Sequence, residues 1–448
     1  MTDSSVFVRF APSPTGYVHV GNMRTAITNW LYAKANGGRF LLRVDDTDAE
    51  RSKAEYEVAL KSDLQWLGLE WDETAKQSDR FEKYEAAKQK LIADGRLYAC
   101  YETPEELEIK RKMLVSRGLP PIYDRSALEL SDAQKAAYEA EGRKPHWRFK
   151  LNHAPIIWQD MVRGEVRFEG DKLADPVLFR EDGVVLFTMS TSVDDGEMGI
   201  THIIRGEDHV SNTAIQVQLM EALGYTPPVF GHTALLQMKE GKLSKRIGGG
   251  SIRDLREAGI FPMVINSYLA KIGTSDAIEL YESMDALIES FDISKFGRAM
   301  ANYDQAELER LNEKLLHQLP FSEVSAQLEA LGMGDVSEAF WERIKANIST
   351  LPQVRDWWEL LQQPIEPVIE DADFTNTAAE LLPEGELDEE SWKRFVDAVK
   401  AKTDRKGKQL FMPLRLALTG RSDGPELPTL FALLGRERAE ARLRGKAA

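Results

Sequence analysis

Residues 6–22 read Val-Phe-Val-Arg-Phe-Ala-Pro-Ser-Pro-Thr-Gly-Tyr-Val-His-Val-Gly-Asn. The apolar run 6–10 predicts a buried strand, which the prolines and glycine of 12–16 end. Apolar residues at helical spacing over 20–36 predict a helix, and the glycine pair that follows stops it. Alternation over 40–44 predicts a second strand. A strand, a helix and a strand this close together form a right-handed βαβ unit, so the sequence predicts an α/β fold on a parallel sheet.

The pattern changes twice beyond this unit. Prolines and short strand-like pieces interrupt residues 91–185, which predicts an inserted α+β domain. Strand-like segments at 184–189 and 199–204, with a helical one at 214–223, predict that the parallel sheet is completed after the insertion. Beyond about residue 255 helical patterns dominate. The full expectation is a Rossmann-like catalytic domain split by an insertion and followed by an all-α C-terminal region.

Composition excludes several classes of protein. The 448 residues include 57 Lys plus Arg and 73 Asp plus Glu, a net charge of −16. Nucleic acid would therefore have to bind at a local basic patch, such as residues 402–448, where 11 basic residues face 5 acidic ones. A single cysteine, Cys100, excludes an intrachain disulfide. No leader and no apolar run of ~18–20 residues is present, which predicts a cytoplasmic protein without a membrane span.

The first constellation that carries chemistry lies between the first strand and the first helix. Ligands of open α/β sheets dock at the carboxyl ends of the strands, where residues 9–22 fall. Gly16 and Gly21 allow close approach of a ligand to the backbone, and a helix N-terminus favours phosphate. His19 is placed to donate to a phosphate whose charge grows in a transition state.

The second constellation is Lys242-Leu243-Ser244-Lys245-Arg246, followed by three glycines. A loop with three cations and nearby glycines can fold over a triphosphate. Lys245 would neutralise charge on the α-phosphate and on the leaving pyrophosphate, while Lys242 and Arg246 would assist or contact nucleic acid.

Together, the two constellations resemble those of the class I aminoacyl-tRNA synthetases, specifically the bacterial glutamyl-tRNA synthetases. The string His19–Asn22 is similar to the HIGH signature of that family, and Lys242–Arg246 is similar to its KMSKS signature. Other strings that resemble the family extend over nearly the whole chain: Arg9–Gly16, Leu42–Asp48, Val193–Asp195, Ile204–His209 and Met412–Gly420.

The resemblance implies a two-step reaction. Glutamate and ATP with Mg²⁺ give glutamyl-adenylate, and the terminal ribose of tRNA-Glu then takes the glutamyl group; similar enzymes require bound tRNA before they activate glutamate. The catalytic residues implied are His19, Lys242, Lys245 and Arg246. The ATP-binding residues implied are Pro12, Ser13, Pro14, Thr15, Gly16, His19, Gly21, Asn22, Glu207, His209, Leu235, Leu243, Ser244 and Lys245.

The amino acid site follows from the charges of glutamate, which has one ammonium and two carboxylates. Such a site needs an acid and one or two arginines. By resemblance, Arg9 binds the γ-carboxylate, Asp45 the ammonium, and Arg205 is a further glutamate-binding arginine. Asp45 stands where the family more often has glutamate, and Phe187 where a tyrosine is common. The remaining contacts expected with glutamate are Ala11, Ser13, Phe187 and Thr191.

A zinc ion is not expected. Some relatives hold zinc in the insertion through several cysteines and a tyrosine. Here Cys100 is alone, Glu102 stands where another cysteine would be, and Tyr123 has no cysteine near it in sequence. Because a structural zinc site needs about four ligands, the sequence predicts none.

The resemblance also divides the chain into five segments. These are the first half of the catalytic domain (1–90), a tRNA acceptor-binding insertion (91–185), the second half of the catalytic domain (186–255), a stem-contact domain (256–318) and a helical anticodon-binding domain (319–448). Relatives are typically monomers, so a monomer is expected.

Several alternatives remain beside a glutamate–tRNA ligase. The chain would also suit a non-discriminating enzyme that charges tRNA-Gln as well, and the sequence does not separate these two. A glutaminyl enzyme is disfavoured by the Ala11–Pro14 string and by the helical C-terminal region. A short homologue that glutamylates a modified base is disfavoured by the long region after the three glycines. A non-catalytic tRNA-binding paralogue would be expected to have lost His19 or Lys245. An unrelated nucleotidyltransferase would lack the downstream tRNA-binding region.

Replacement of Lys245 tests the second constellation. We expect Lys245→Ala to lower the rate of adenylate formation by at least ~10²-fold, because the ammonium stabilises charge that develops in the transition state. Pyrophosphate exchange in the presence of tRNA measures this rate. A near-normal rate would remove Lys245 from the chemistry.

Overall fold

The predicted βαβ unit is present at the N-terminus of the computed structural model, which describes residues 5–238 and 250–448. It consists of β1 (Phe7–Phe10), α1 (Val20–Ala35) and β2 (Arg39–Val44), and β1 pairs in parallel with β2. After α1, Gly37 takes a φ of +60°, a conformation that suits glycine and turns the chain into β2. The N-terminal prediction is confirmed.

The chain forms two compact units. The first comprises residues Met1–Arg256 and Pro262–Asp304. In chain order, the further elements among its described residues are α2 (Ala54–Trp66), β3 (Glu73–Lys76), α3 (Phe81–Ala93), β4 (Leu97–Cys100), α4 (Pro104–Ser116), α5 (Asp132–Ala140), β5 (His146–Phe149), β6 (Ile156–Asp160), β7 (Gly164–Phe168), β8 (Val177–Phe179), α6 (Phe187–Glu197), β9 (His202–Gly206), α7 (Val210–Leu223), β10 (Val229–Thr233), β11 (Leu236–Met238), α8 (Ile252–Glu257), α9 (Pro262–Lys271), α10 (Met284–Glu289) and β12 (Ala301–Tyr303).

Two parallel sheet segments meet at β1. One has the order β1-β2-β3, and the other β7-β6-β10-β9, in which only β7 is antiparallel to its neighbour. The backbone N–H of Thr201, just before β9, donates to the carbonyl of Phe7 in β1 at 2.9 Å. The carboxyl ends of β1 and β9 therefore lie side by side where the strand order reverses, which is the usual ligand position in open α/β sheets.

The segment predicted as an insertion contributes to two sheets. Strands β4, β5 and β8 form a separate antiparallel sheet in the order β4-β5-β8. The hairpin β6–β7, also within residues 91–185, joins the edge of the parallel sheet beside β10. This segment thus brings one of its own strands to the ligand-binding edge.

One predicted strand is wrong and another is displaced. Residues 184–189 are not a strand, because α6 begins at Phe187 and Val185 forms only an isolated bridge with Phe179. A short apolar run at the start of a helix has the same pattern as a buried strand. The strand predicted at 199–204 is β9, shifted toward the C-terminus.

The second unit comprises Glu257–Phe261 and Gln305–Ala448. Its helices pack around a large apolar core that includes Trp341, Trp357 and Trp392. The helices are α11 (Gln305–Gln318), α12 (Phe321–Ala330), α13 (Glu338–Ile344), α14 (Val354–Gln362), α15 (Ala372–Glu380), α16 (Glu389–Thr403), α17 (Lys408–Thr419), α18 (Leu427–Leu434) and α19 (Arg436–Leu443). The all-α C-terminal region is confirmed.

The predicted stem-contact segment is shared between the two units. Residues 262–304 belong to the first unit and residues 305–318 to the second. The tRNA-contacting roles assigned to the five segments stay predictions. Among the described helices, none combines the length and apolar character needed to cross a membrane.

Candidate active site

A cleft of about 570 Å³ opens at the carboxyl ends of β1, β9 and β10. Most of the described residues that were predicted to bind a ligand line it. They are Arg9, Ala11, Pro12, Ser13, Thr15, His19, Gly21, Asn22, Asp45, Phe187, Thr191, Arg205, His209 and Leu235. Residues more than 200 positions apart therefore meet in one concave site, as the topology requires.

Three predicted residues do not line the cleft. Pro14 is buried, and its carbonyl accepts from the backbone N–H of Lys53 at 3.0 Å. Gly16 is exposed. Glu207 forms an ion pair of 2.6 Å with Arg163, and its other oxygen lies 3.4 Å from the backbone nitrogen of Leu235. Pro14 and Glu207 thus have local structural contacts, and none of the three residues forms part of the cleft wall.

The predicted residues Lys242, Leu243, Ser244, Lys245 and Arg246 lie outside the described residues. The described chain ends at β11 and resumes at Gly250, whose carbonyl accepts from the backbone N–H of Val20 at 3.1 Å. The chain therefore leaves and re-enters the described structure beside the cleft and the start of α1.

His19 caps α1 and faces the cleft. Its Nδ1 accepts from the backbone N–H of Gly21 at 3.3 Å. Burial lowers the pKa of His19, so the ring is neutral at pH 7 and carries its proton on Nε2. The cap thus fixes the tautomer that offers an N–H donor to an oxyanion.

A buried charge network forms one side of the cleft. Arg9 donates from Nε and Nη2 to the two carboxylate oxygens of Asp195 at 3.1 and 3.3 Å. Arg43 donates from Nη1 to Asp195 at 2.6 Å and from Nε and Nη2 to Asp45 at 2.7 and 3.2 Å. Although burial by itself raises the pKa of Asp195, the charges of Arg9 and Arg43 bring it below its ordinary value.

A third carboxylate, Asp194, anchors the same network to the neighbouring elements. It accepts from Gln77, Arg80 and Tyr84 at 2.6–2.9 Å, and Arg43 lies 3.9 Å away. The hydroxyl of Tyr84 is held by this bond, and burial and the charge of Asp194 raise its pKa. The network therefore ties the first two strands to α3 and α6.

Asp45 differs from the simple expectation of a free acid. Both of its oxygens already bond Arg43, and burial raises its pKa to about 6 despite that cation. It lies in the cleft wall, so a bound ammonium would share the carboxylate with Arg43.

Arg205 has a different environment from Arg9. Its Nε donates to Nε2 of His232 at 3.3 Å, and its Nη2 donates to Thr213 at 2.7 Å and Gln216 at 2.6 Å. Its buried Nη1 has no hydrogen-bond partner, and no carboxylate pairs with it, among the residues that the structure describes. Burial, followed by the charge of Arg9, lowers the pKa of Arg205 to about 9. The described part of the site therefore contains a buried cation with no anion bonded to it.

Phe187, Thr191 and His209 also line the cleft, and Gln216 links Thr191 to Arg205. Phe187 is 41% exposed, and its ring centroid lies 5.3 Å from that of His209. The hydroxyl of Thr191 donates to the carbonyl of Phe187 at 2.7 Å and accepts from Gln216 at 2.8 Å. Thr191 thus holds neighbouring groups in place, and the rings of Phe187 and His209 pack against each other at an interplanar angle of 33°.

Several functional residues were missed from the sequence. No role was assigned to Asp194 and Asp195, although the string that contains them was noted, and none to Arg43. The sequence feature that could have identified them is a charged residue within a strand or helix whose other residues are predicted to be buried. Such a charge requires a buried partner. Asp160 and His232 were missed as well, because their pairing joins strands far apart in sequence.

Three possible metal ligands meet in the inserted segment. Ligand atoms of Cys100, Glu102 and His146 all lie within 4.8 Å of one another. The sequence argument against zinc overlooked His146, which β5 places directly opposite Cys100. Against a metal, Glu102 already accepts from the ammonium of Lys110 at 3.1 Å and from Tyr123 at 2.7 Å. Three ligands beside a cation are a poor structural zinc site, which needs about four.

Comparisons with known proteins identify the class. A family model described as "tRNA synthetases class I (E and Q), catalytic domain" matches residues 5–310, and one described as "Anticodon binding domain" matches residues 342–446. The chain therefore belongs to the class I tRNA synthetases of the E and Q type.

Full-length relatives narrow the assignment. Glutamate--tRNA ligase 1 of Maricaulis maris is 53% identical over 443 residues, which cover 98% of this chain and 99% of the relative. Glutamate--tRNA ligase of Azospirillum brasilense is 53% identical over 446 residues, 99% of this chain and 100% of the relative. A crystal structure of a glutamate tRNA ligase from Elizabethkingia meningosepticum in complex with its amino acid matches with a TM-score of 0.75 at 27% identity, over 98% of both chains. Within its class, the chain belongs to the bacterial glutamate–tRNA ligases.

The buried network predicts a large difference between two arginines of β2. We expect Arg43→Met to destabilise the first unit by about 3–5 kcal/mol, because it leaves buried carboxylates without their main cation. Arg39→Met is the matched control: the exposed pair of Arg39 with Glu73 should contribute at most about 1 kcal/mol. Calorimetric unfolding measures both variants. Equal transition temperatures for the two would contradict the role of Arg43.

We expect purified protein to contain no stoichiometric zinc, because Lys110 already pairs with Glu102. Elemental analysis by mass spectrometry measures the zinc content per chain. One zinc per chain would contradict this prediction, and loss of that zinc in His146→Ala would then make His146 a ligand.

Proposed function

We propose that this chain activates L-glutamate with ATP and transfers it to the 3′ end of tRNA-Glu, and that activation begins only after tRNA has bound. The observation that carries the proposal is the pair Arg9 and Arg205 in the cleft, next to the acid Asp45. Glutamate carries two carboxylates and one ammonium, which is the complement of this set of charges.

Arg205 and Arg9 are proposed to receive the carboxylates of glutamate. Arg205 has no carboxylate partner among the described residues, so an anion there relieves an uncompensated buried charge. The bonds from Arg9 to Asp195 use Nε and Nη2, which leaves Nη1 to donate to the substrate. We assign the γ-carboxylate to Arg9 and Arg205 together and the ammonium to Asp45. Glutamine would place an uncharged amide against the two cations, which disfavours it.

The ATP site is proposed to lie along the β1–α1 connection and the facing wall of the cleft. Class I tRNA synthetases use ATP. The start of α1, with Gly21 and Asn22, suits phosphates because its N–H groups and dipole favour anions. The Nε2–H of His19 donates to a phosphate oxygen. The base is assigned to the part of the cleft that His209 and Leu235 line.

The chemistry requires no covalent enzyme intermediate. An α-carboxylate oxygen of glutamate attacks the α-phosphorus of ATP, the bond to the β-phosphate oxygen breaks, and pyrophosphate leaves. A terminal ribose hydroxyl of the tRNA then attacks the carbonyl of the adenylate, and AMP leaves. Mg²⁺ bound to the ATP phosphates would offset their charge. His19, Lys242, Lys245 and Arg246 stabilise the charge that develops on the phosphates, and the arginines position glutamate.

We also place the reaction in the cytoplasm and expect a monomer, as is typical of the family. The second unit would bind the anticodon, since the matching model over residues 342–446 is an anticodon-binding domain. Whether the chain also charges tRNA-Gln depends on that unit.

Aminoacylation with radiolabelled glutamate tests the proposal, with purified tRNA-Glu and tRNA-Gln in parallel. We expect charging of tRNA-Glu. Charging of tRNA-Gln as well would make the enzyme non-discriminating. Charging of neither, with tRNA of confirmed activity, would contradict the proposal and favour a non-catalytic paralogue.

Replacement of Arg9 tests the glutamate site. We expect Arg9→Ala to raise the KM for glutamate at least about tenfold, since a charge-assisted hydrogen bond is worth about 1.5–3 kcal/mol, while the KM for ATP stays close to normal. Arg51→Ala is the control, because Arg51 is exposed and pairs only locally with Asp48. An unchanged KM for glutamate would remove Arg9 from substrate binding.

A further inference from the structure

Arg205 is supported by two buried side chains that do not line the cleft. Its Nε donates to His232 at 3.3 Å, and Nδ1 of His232 lies 2.5 Å from Oδ2 of Asp160. His232 lies in β10 and Asp160 at the end of β6, and both are buried. Because neither residue lines the cleft, their effect on a bound molecule must pass through Arg205.

The hydrogen bonds define the protonation of the pair. Oδ1 of Asp160 accepts from the backbone N–H groups of Val162, Arg163 and His232 at 3.0–3.1 Å. Burial alone would raise the pKa of Asp160, but these bonds and the His232 ring lower it to about 2. Burial lowers the pKa of His232, so the ring is neutral at pH 7. Its one proton lies on Nδ1 toward Asp160, and Nε2 is left as an acceptor for Arg205.

The other supports of Arg205 are neutral too. Nη2 donates to the hydroxyl of Thr213 and to the amide oxygen of Gln216, both from α7. The hydroxyl of Thr213 also lies 2.9 Å from Nε2 of His232. Each of these three groups therefore orients Arg205 without neutralising it, and Nη1 is the end left for a ligand.

We propose that Asp160 and His232 are positioning residues that hold the guanidinium of Arg205 fixed and without a bonded carboxylate, so that it selects the carboxylate of glutamate over the carboxamide of glutamine. This inference rests on the proposed function and extends it. A carboxylate partner in place of His232 would neutralise Arg205 and weaken its attraction for an anion. A flexible arginine would adapt to either substrate, whereas a fixed one cannot.

Protonation of His232 would abolish this arrangement. The groups that face its ring are Asp160 and Arg163 from the β6 side, Arg205 from β9, and His209 from the turn before α7. A proton on Nε2 would replace the acceptor by a donor beside a guanidinium. Glutamate binding should therefore weaken as the pH falls through the pKa of His232, which lies below the ordinary value of 6.5.

The test uses the full chain in aminoacylation of tRNA-Glu, with separate determination of kcat and of the KM for glutamate and for ATP. The variants are His232→Leu, His232→Gln and Asp160→Asn. Asp175→Asn is the matched control, because Asp175 is a similarly buried carboxylate that does not line the cleft and accepts from Tyr98 of β4 and from Arg125.

We expect His232→Leu to raise the KM for glutamate at least about tenfold, with the KM for ATP within about twofold of the unmodified enzyme. His232→Gln should have a smaller effect, because its amide oxygen can still accept from Arg205. Asp160→Asn should raise the KM for glutamate and narrow the preference for glutamate over glutamine. Asp175→Asn should leave the KM for glutamate unchanged. In His232→Gln, the rise of this KM at acid pH should be flatter than in the unmodified enzyme.

Two results would overturn the inference. One is a KM for glutamate that is unchanged in both His232→Leu and Asp160→Asn. The other is an equal rise of the KM for glutamate and for ATP, which indicates general damage to the fold. If His232→Leu does not fold, as judged by circular dichroism, the KM values for glutamate of Asp160→Asn and His232→Gln test the inference. Failure of the unmodified enzyme to charge tRNA-Glu would instead contradict the proposed function, so the two failures are distinct.

Discussion

The buried guanidinium of Arg43 joins carboxylates from two different elements of the first unit. It bonds Asp45 after β2 and Asp195 in α6, and Asp195 in turn bonds Arg9 in β1. Buried charges are tolerated only when each has a partner with good geometry. The relative positions of β1, β2 and α6 are therefore fixed by the same contacts that form one side of the cleft. The contacts that stabilise the sheet at this point therefore also determine the shape of the cleft.

Arg9 and Arg205, two of the arginines that line the cleft, are held in opposite ways. Arg9 is bound to a carboxylate, whereas Arg205 is bound by neutral acceptors of His232, Thr213 and Gln216. Because charge pairing cancels the field of Arg9 in part, Arg205 contributes more positive potential to the cleft than Arg9 does, together with Arg24, which also lines the cleft and donates to the carbonyl of Ala234 at 2.7 Å. A protein that needed only structural strength at this position would gain more from an acid partner. Neutral hydrogen-bond partners are expected at Arg205 if the anion that pairs with it is the substrate.

The sequence was informative where local pattern decides structure and less so where distant residues pair. The strands and helix of residues 6–44 follow from apolar periodicity and turn residues, and so does the docking position at the end of β1. Most predicted ligand residues line the cleft because they occur in short strings that fall at strand ends. Asp160 and His232 are 72 positions apart, and only the parallel pairing of β6 with β10 brings them together. No periodicity or local motif contains that information.

The incorrect prediction of a strand at residues 184–189 also reflects what a short local pattern cannot specify. Val185 and Met189 are buried, whereas Val184 and Phe187 are 39% and 41% exposed, and the backbone turns into α6 between Val185 and Met189. A short apolar run suits a strand or the start of a helix, and periodicity over so few residues does not separate the two. The possible metal ligands at Cys100 could not be predicted from the sequence for a similar reason. His146 is directly opposite Cys100 in the sheet but 46 positions away in the chain.

The phenylalanine at position 187 indicates how the site recognises its substrate. In similar enzymes a tyrosine hydroxyl is common here, and it is a neutral hydrogen-bond donor. Thr191 does not replace it, because its hydroxyl already donates to the carbonyl of Phe187 and accepts from Gln216. In the proposed function, recognition of the carboxylates then falls to the guanidinium groups of Arg9 and Arg205. Because a neutral donor distinguishes a carboxylate from an amide oxygen less strongly than a guanidinium does, its absence makes discrimination depend more strongly on charge. Phe187 and the neutral supports of Arg205 therefore favour the same outcome, a site that distinguishes glutamate from glutamine by its negative charge.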